Sequence, residues 1–402
     1  MLRYRYSACG AIAAALTLSL LVGCPSVSVV DDGISDVDPS PSQDGADADA
    51  ISDAPITTLT FSIQSSVLVL ASGSSPSGIA SGDLDGDADL DLIVADFARD
   101  RVSILLNNGD GTFTLAGDFM VETAPGFMTM GDMDNDGDLD LAVASSESGT
   151  GGVSILLNNG DGTFASGENI ETEYGTQSIT TGDVDGDGDL DLAVALVLRS
   201  NSVSILLNNG DGTFAAAVNY PTGIDPKSAT MGDMDGDGDL DLVVPILNKL
   251  VILLNNGDGT FSTAVNVAEI SSQTVTVADL NGDRNLDLVV PNSGNVSIML
   301  NNGDGTFAAA VNFAVGAISS SVDTADLDGD GDLDLVVANV FGVDVSIMLN
   351  NGDASFAAPM KFEGAEGFAA SLTVGDLDRD GDLDLAVLNS SGVYVLLNQL
   401  IK

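Results

Sequence analysis

Seven short acidic loops, set at nearly equal intervals, constrain this chain more than any other feature. Each resembles the one that runs Asp-Val-Asp-Gly-Asp-Gly-Asp-Leu-Asp from Asp183 to Asp191. The loops begin at Asp83, Asp132, Asp183, Asp233, Asp279, Asp326 and Asp376, in steps of 49, 51, 50, 46, 47 and 50 residues. A period of this length marks a repeat architecture, in which each unit buries its apolar faces against its neighbours.

One repeat shows what the unit is. In residues 178–223 a short strand-compatible run leads into the acidic loop. Two β-rich apolar runs follow, 190–196 and 203–207, parted by polar residues. The turn Asn-Asn-Gly-Asp-Gly-Thr-Phe from Asn208 has two glycines that supply positive φ, and 215–220 reads as a fourth strand. Four short antiparallel strands per unit of this length describe a propeller blade. The 3.6-residue period of a helical solenoid is absent.

The turn recurs at Asn107, Asn158, Asn255, Asn301 and Asn350, but the seventh unit stops soon after Asn398 without its fourth strand. The missing strand is expected at the other end of the chain. Thr60 and Phe61 align with Thr213 and Phe214, so residues around 57–72 are expected to pair with the strand at 393–397. That closure removes an exposed sheet edge. The expected fold is all-β, a seven-bladed β-propeller of four-stranded antiparallel blades over 57–402.

The loops carry acids at positions 1, 3, 5, 7 and 9. The candidate metal ligands are Asp83, Asp85, Asp87, Asp89 and Asp91 in loop one, and Asp132, Asp134, Asp136, Asp138 and Asp140 in loop two. Loop three has Asp183, Asp185, Asp187, Asp189 and Asp191, and loop four has Asp233, Asp235, Asp237, Asp239 and Asp241. Loop five has Asp279, Asn281, Asp283, Asn285 and Asp287. Loop six has Asp326, Asp328, Asp330, Asp332 and Asp334, and loop seven has Asp376, Asp378, Asp380, Asp382 and Asp384. Carboxylates this dense repel one another unless a hard cation gathers them, and oxygen ligands in a flexible loop suit Ca²⁺. Gly188, at position 6, allows the sharp turn. The site is not an EF-hand, because position 12 is Val194.

This pattern, Asp-Φ-Asp/Asn-x-Asp-Gly-x-x-Asp with Φ apolar, resembles the FG-GAP or VCBS-type repeats, which include the propeller of integrin α chains. The resemblance implies that side chains at positions 1, 3, 5 and 9, and the main-chain carbonyl at 7, hold up to seven Ca²⁺ ions. Here the side chains are Asp183, Asp185, Asp187 and Asp191 and their counterparts, with Asp189 at the carbonyl position. Arg284 replaces the position-6 glycine, so the fifth site is expected to be the weakest. Ala88 is a milder departure at the same position. Arg379, at position 4 of loop seven, is expected to point outward.

The loops contain 33 of the 61 acidic residues, so ligation accounts for much of the net charge of −50. That charge argues against nucleic acid as a partner and against electrostatic attachment to anionic lipid. An apolar fraction of 44% supplies a sizeable core. Residues 1–23 read as a signal peptide, with Arg3 and Arg5 ahead of an apolar run too short to favour a membrane span. The run ends in Leu21, Val22, Gly23 and Cys24, which resembles the lipobox of bacterial lipoproteins and implies lipidation of Cys24. Residues 24–56, rich in Asp, Ser, Pro and Gly, read as a disordered acidic tether. The chain is therefore expected in the cell envelope, exported and membrane-anchored through Cys24, facing the periplasm or the cell surface.

The acidic loops and the Asn-Gly turns hardly vary and fall at one end of every blade. The connections at the other end differ in each blade, and variable loops on a rigid scaffold are where binding usually resides. Phe97, Arg99, Arg101, Arg199, Tyr220, Lys227 and Lys249 fall there and form the candidate partner-binding set, with Phe127 and Tyr174 nearby. No His is present, and the only cysteines are Cys9 and Cys24, so no Cys–His or Ser–His–Asp set can form. The expected role is a non-enzymatic protein-binding or adhesion module with an extracellular or envelope partner. The alternative is a carbohydrate-binding propeller or a lyase-like enzyme acting on polysaccharide.

Overall fold

A computed structural model describes residues 59–400, apart from 64–67, 70–73, 146–150, 173–174, 198–199, 340–343 and 364–368. The expected signal peptide, the Cys24 anchor and the tether lie outside the described residues, as do Arg199, Tyr174 and the loop at 341–343. Residues Pro55–Lys402 belong to one compact unit. Strands and turns build it, with no helix among the described residues.

Seven antiparallel blades follow one another in chain order, the fifth and sixth joined in one six-stranded sheet. Blade one comprises Pro76–Gly82, Asp91–Asp96, Arg101–Asn107 and Phe113–Met120. Blades two to four repeat that order from Pro125–Gly131, Thr176–Gly182 and Thr230–Gly232. In blade five the second and third strands form one continuous run, Asp287–Met299. The next run, Val311–Ala325, serves both as its outer strand and as the first strand of blade six. Blade seven contains Ala369–Gly375, Asp384–Asn389 and Gly392–Asn398.

The amino-terminal strand closes the ring as expected. Phe61–Ile63 pairs antiparallel with Leu396–Asn398, and Leu68–Val69 pairs with Gly392 and Val393. The closure also rebuilds the recurring turn from two distant pieces of chain. In blades one to six the second Asn of the turn donates its N–H to the Thr or Ser carbonyl, as Asn209 does to Thr213 at 2.9 Å. At the seam Gln399 donates to Thr60 at 2.7 Å.

Each second strand is buried along its whole length, as in Asp191–Leu196 and Asp384–Asn389. A strand covered on both faces reads as a continuous apolar run rather than an alternating one. The apolar side chains gather into seven clusters, one at each blade-to-blade interface. Val94 and Leu105 of blade one, for example, meet Leu388 and Val395 of blade seven. Burying one such side chain contributes roughly 1.5–3 kcal/mol, so stability is spread around the ring instead of lying in a central core.

The first strands of adjacent blades also bond directly to each other. Thr230 Oγ1 donates to the Val275 carbonyl at 2.8 Å, and Thr276 Oγ1 to the Val322 carbonyl at 2.8 Å. Where each first strand enters its acidic loop, the residue is small because the next blade lies over it. A Cβ on Gly131 would stand 2.5 Å from Leu190 Cδ1, and one on Gly375 only 2.3 Å from Leu90 Cδ1.

Candidate metal loops and binding face

The loop carboxylates shape their own backbone. The two oxygens of Asp183 accept the N–H groups of Gly186 at 2.8 Å and Gly188 at 3.0 Å. Asp185 accepts from Asp187 at 3.3 Å, and Asp187 from Asp189 at 2.9 Å. These are successive turns closed by an acidic side chain two or more residues back. They require left-handed backbone at two positions, not only at position 6: Gly186 has φ 75° and Gly188 has φ 97°. Loop five meets the second requirement with Arg284 at φ 72°, and loop seven meets the first with Arg379 at φ 62°.

Position 9 does more than present a ligand. Asp91, Asp140, Asp287, Asp334 and Asp384 have no exposed surface, and Asp191 and Asp241 are nearly as enclosed. Both oxygens of Asp191 are used: one accepts the Val184 N–H at 3.0 Å, the other the Asn208 N–H at 2.8 Å. The Asn208 side chain then crosses to the preceding blade and donates to the Met133 carbonyl at 2.8 Å. The same link recurs at Asn107, Asn158, Asn255, Asn301, Asn350 and Asn398. Burial pushes the carboxyls of Asp91, Asp140, Asp191 and Asp241 up to about 6, and those of Asp334 and Asp384 to about 7. These groups are costly to hold charged without a cation beside them.

The loops have the donors such a cation needs. Ligand oxygens of Asp83, Asp85 and Asp91 lie within 4.8 Å of one another, as do those of Asp183, Asp185 and Asp191. Equivalent clusters form in loops four and six, and in loop two Asp132 and Asp134 gather with Asp136 instead. One carboxylate oxygen each on Asp134, Asp235 and Asp376 is buried without a hydrogen-bond partner. Burial and then the neighbouring aspartate raise the carboxyl of Asp185, and the same holds for Asp134 and Asp235. Orphaned oxygens in an all-oxygen set fit a hard divalent ion. Asp183, Asp185, Asp187 and Asp191 would hold it through side chains. The Asp189 side chain instead lies against the Asn-Gly turn, where a Cβ on Gly210 would be 2.6 Å from it.

Arg379 corrects one expectation. Its side chain is exposed but does not stand free in solvent: the guanidinium donates to the Asp87 carbonyl at 2.5 Å and pairs with Asp89 in loop one. Asn135, at the same position in loop two, donates to Asp189 Oδ1 of loop three at 2.7 Å. The sequence signal was a non-glycine residue at a left-handed position. In loop five, the Asn281 side chain donates to Asp283 at 3.0 Å, so an amide takes up one of the few remaining carboxylates.

At the opposite end, the four described candidate basic residues each meet an acid. Arg99 and Arg101 approach the buried Asp96 at 3.8 Å, and Arg101 also pairs with Asp118. Lys227 pairs with Asp225 at 2.7 Å and Lys249 with Glu269 at 3.1 Å. Tyr220 is taken up by packing: it meets Phe261 of the next blade edge-to-face at 5.3 Å, and its hydroxyl reaches the Gly259 carbonyl. The pairs Phe119–Phe164, Phe313–Phe356 and Phe61–Phe362 do the same elsewhere. Five large apolar side chains also stand exposed at this end, Phe97, Met120, Phe127, Ile224 and Leu247, among exposed polar residues such as Glu122, Asn248 and Glu269.

The sequence profile of the FG-GAP-like repeat matches residues 83–143, 132–194, 195–244, 279–337 and 334–387. No curated protein matches the chain. Among solved structures, one described as showing specific recognition of non-reducing terminal N-acetylglucosamine by an Agrocybe aegerita lectin is 23% identical, with a TM-score of 0.57, and covers 80% of this chain and 87% of that one. BBS1N in complex with ARL6DN, soaked with mercury, is 18% identical with a TM-score of 0.60, covering 85% of this chain and 97% of that one. At these identities the likeness is one of fold.

Proposed function

Because the chain belongs to the FG-GAP-like repeat family, we propose that it is a Ca²⁺-braced propeller whose face opposite the acidic loops binds a protein partner. The observation that carries this reading is the division between its two ends. Every acidic loop and every Asn-Gly turn lies at one end, while the exposed Phe97, Met120, Phe127, Ile224 and Leu247 lie at the other. Apolar side chains left exposed on variable connections are surface that a partner could cover.

Calcium serves the scaffold in this account. The ions neutralise loops that join each blade to the next, and no chemistry at a substrate is assigned to them. The proposed setting is the cell envelope, with the propeller exported and tethered through a lipid on Cys24, acting as a non-enzymatic adhesion module.

The test is capture of envelope proteins by the propeller, with calcium and with chelator, comparing the natural chain with Phe97→Asp and Phe127→Asp. Calcium-dependent capture that both substitutions abolish supports the reading. Capture indifferent to those substitutions overturns the assignment of the face.

A further inference from the structure

Blade five carries a feature that the acidic loops and the apolar face do not explain. A cleft of about 390 Å³ opens between the crossing from blade four, at Glu269, Ile270 and Ser271, and the hairpin and outer strand of blade five. Three of its side chains form one directed chain of hydrogen bonds. Asn292 Nδ2 donates to Ser297 Oγ at 2.7 Å, and Ser297 Oγ donates to Asn312 Oδ1 at 2.5 Å. Each bond consumes one end of an amide and leaves the other. Asn292 Oδ1 remains as an acceptor and Asn312 Nδ2 as a two-proton donor, neither with a partner among the described residues. Ser293 and Asn295 add further uncharged polar groups to the wall.

The other blades provide the control. In blade two the equivalent serine, Ser154, is capped by the Glu122 N–H of the incoming crossing at 3.0 Å. In blade one Ser103 bonds to Asp118, a charged partner already paired with Arg101. Blade three keeps the Ser204–Asn219 bond but has Leu196 where blade five has Asn292. Blade four has Val251 opposite Asn266, and blade six sets Ser346 opposite Lys361. Among these blades the neutral three-residue chain occurs in blade five alone.

We propose that this cleft binds a neutral pyranose unit of a glycan. A sugar hydroxyl both donates and accepts, and so fits a wall that offers a free amide oxygen beside a free amide nitrogen. Ile270 and Ala310 supply apolar surface for the C–H face of the ring. The cleft is shallow and open, so it holds one ring by an edge and a face rather than enclosing it. The net charge of −50 disfavours uronates and sulfated sugars, and the nearest cation, Lys249, is already paired with Glu269 at the rim. No aromatic ring lines the cleft, so affinity rests on a few hydrogen bonds and is on the order of millimolar. The cleft lies at the same end as the proposed protein-binding face, but on blade five rather than on the blades that carry Phe97, Phe127 and Leu247, and it is argued from different residues.

Saturation-transfer NMR on the full chain, in calcium, tests the proposal with the methyl glycosides of glucose, galactose, mannose and N-acetylglucosamine, and with methyl glucuronide as the acidic control. The expected result is transfer to at least one neutral glycoside and none to the glucuronide. Ala310→Trp, at an exposed position, fills the cleft without touching the hydrogen-bonded chain, and Asn312→Ala removes the donor. Each is expected to weaken binding about ten-fold or more, with an unchanged melting profile. Ser204→Ala in blade three is expected to leave binding intact. No transfer to any neutral glycoside overturns the proposal, as does binding that survives Ala310→Trp or equal binding of the glucuronide.

Discussion

Arg379 donates a hydrogen bond to the main-chain carbonyl of Asp87, joining the acidic loop of the last blade to that of the first. The same guanidinium pairs with Asp89, whose side chain is almost fully buried. Six of the seven junctions between neighbouring loops join blades that follow one another in the chain, but this pair sits at the seam. Arg379→Ala removes the bond and keeps a left-handed residue with a Cβ, whereas Arg379→Gly removes the bond and relieves the backbone. Thermal melts are expected to show both variants destabilised, Ala by about 1–2 kcal/mol and Gly by less. A Gly variant more stable than the natural chain would show that the bond contributes less than the strain.

Loop five offers the opposite experiment. Arg284 holds φ 72° with a side chain that disfavours it. Arg284→Gly is expected to raise stability by about 1 kcal/mol even in chelator. Combined with Asn281→Asp and Asn285→Asp, it is expected to raise by one the number of calcium ions counted by native mass spectrometry at limiting calcium. An unchanged count would indicate that the fifth loop already binds as well as the others.

Position 9 and position 5 are expected to fail in different ways. Asp191 satisfies two backbone N–H groups in the metal-free fold. Asp191→Ala strands both and is expected to cost about 2–5 kcal/mol with or without calcium. Asp187 accepts one bond at the exposed rim of the loop, and Asp187→Ala is expected to destabilise chiefly in calcium. Melts of the two variants in calcium and in chelator separate the roles. Equal losses for Asp191→Ala and Asp187→Ala under both conditions would overturn the distinction.

The buried carboxyls also set a pH dependence. Their folded-state values of about 6 to 7 stand above the ordinary 3.8, so between those limits the folded metal-free chain binds more protons than the unfolded one. Their contribution to stability is then fully present below pH 3.8 and is lost as pH rises through 6 to 7. In chelator the melting temperature is expected to fall between pH 5 and 7.5. In calcium the trend reverses, because the ion binds the deprotonated form and protons compete with it. Parallel curves in the two buffers would remove the link between these aspartates and the metal.

At about 1 mM calcium, sites of the strength usual for extracellular modules, with dissociation constants of roughly 10⁻⁴ to 10⁻³ M, each contribute about 0.4–1.4 kcal/mol. A large drop in melting temperature is therefore expected on adding chelator. An unchanged melt would eliminate the metal reading of the loops.

What could be read from the sequence was whatever recurs at constant spacing. The loop aspartates, the Asn-Gly turns and the match of Thr60 and Phe61 to Thr213 and Phe214 all repeat in register, and they specified the ring and its closure. What escaped depends on the neighbouring blade. Tyr220 looked like a loop aromatic, yet it shares its repeat position with Phe119, Phe313 and Phe362, and that comparison would have placed it in the packing. Arg99, Arg101, Lys227 and Lys249 entered the candidate partner-binding set because Asp96, Asp118, Asp225 and Glu269, which pair with them, are brought to them by the folded hairpins and crossings. The reach of Arg379 into loop one belongs to the same class, since it spans the two ends of the repeat array.

The pairing of Phe61 with Asn398 has a consequence for how the molecule is made. Thr60 and Gln399, which flank that pairing, lie 339 residues apart. The first piece of the propeller to be synthesised must therefore remain unpaired until nearly the last piece has emerged. During that interval blades one to six can add to one another in sequence, as a growing stack with an open edge at its leading end. Contacts of such separation form late and slowly, so closure is the last step in assembling the ring, and the half-made stack is the species most exposed to faulty pairing with other chains.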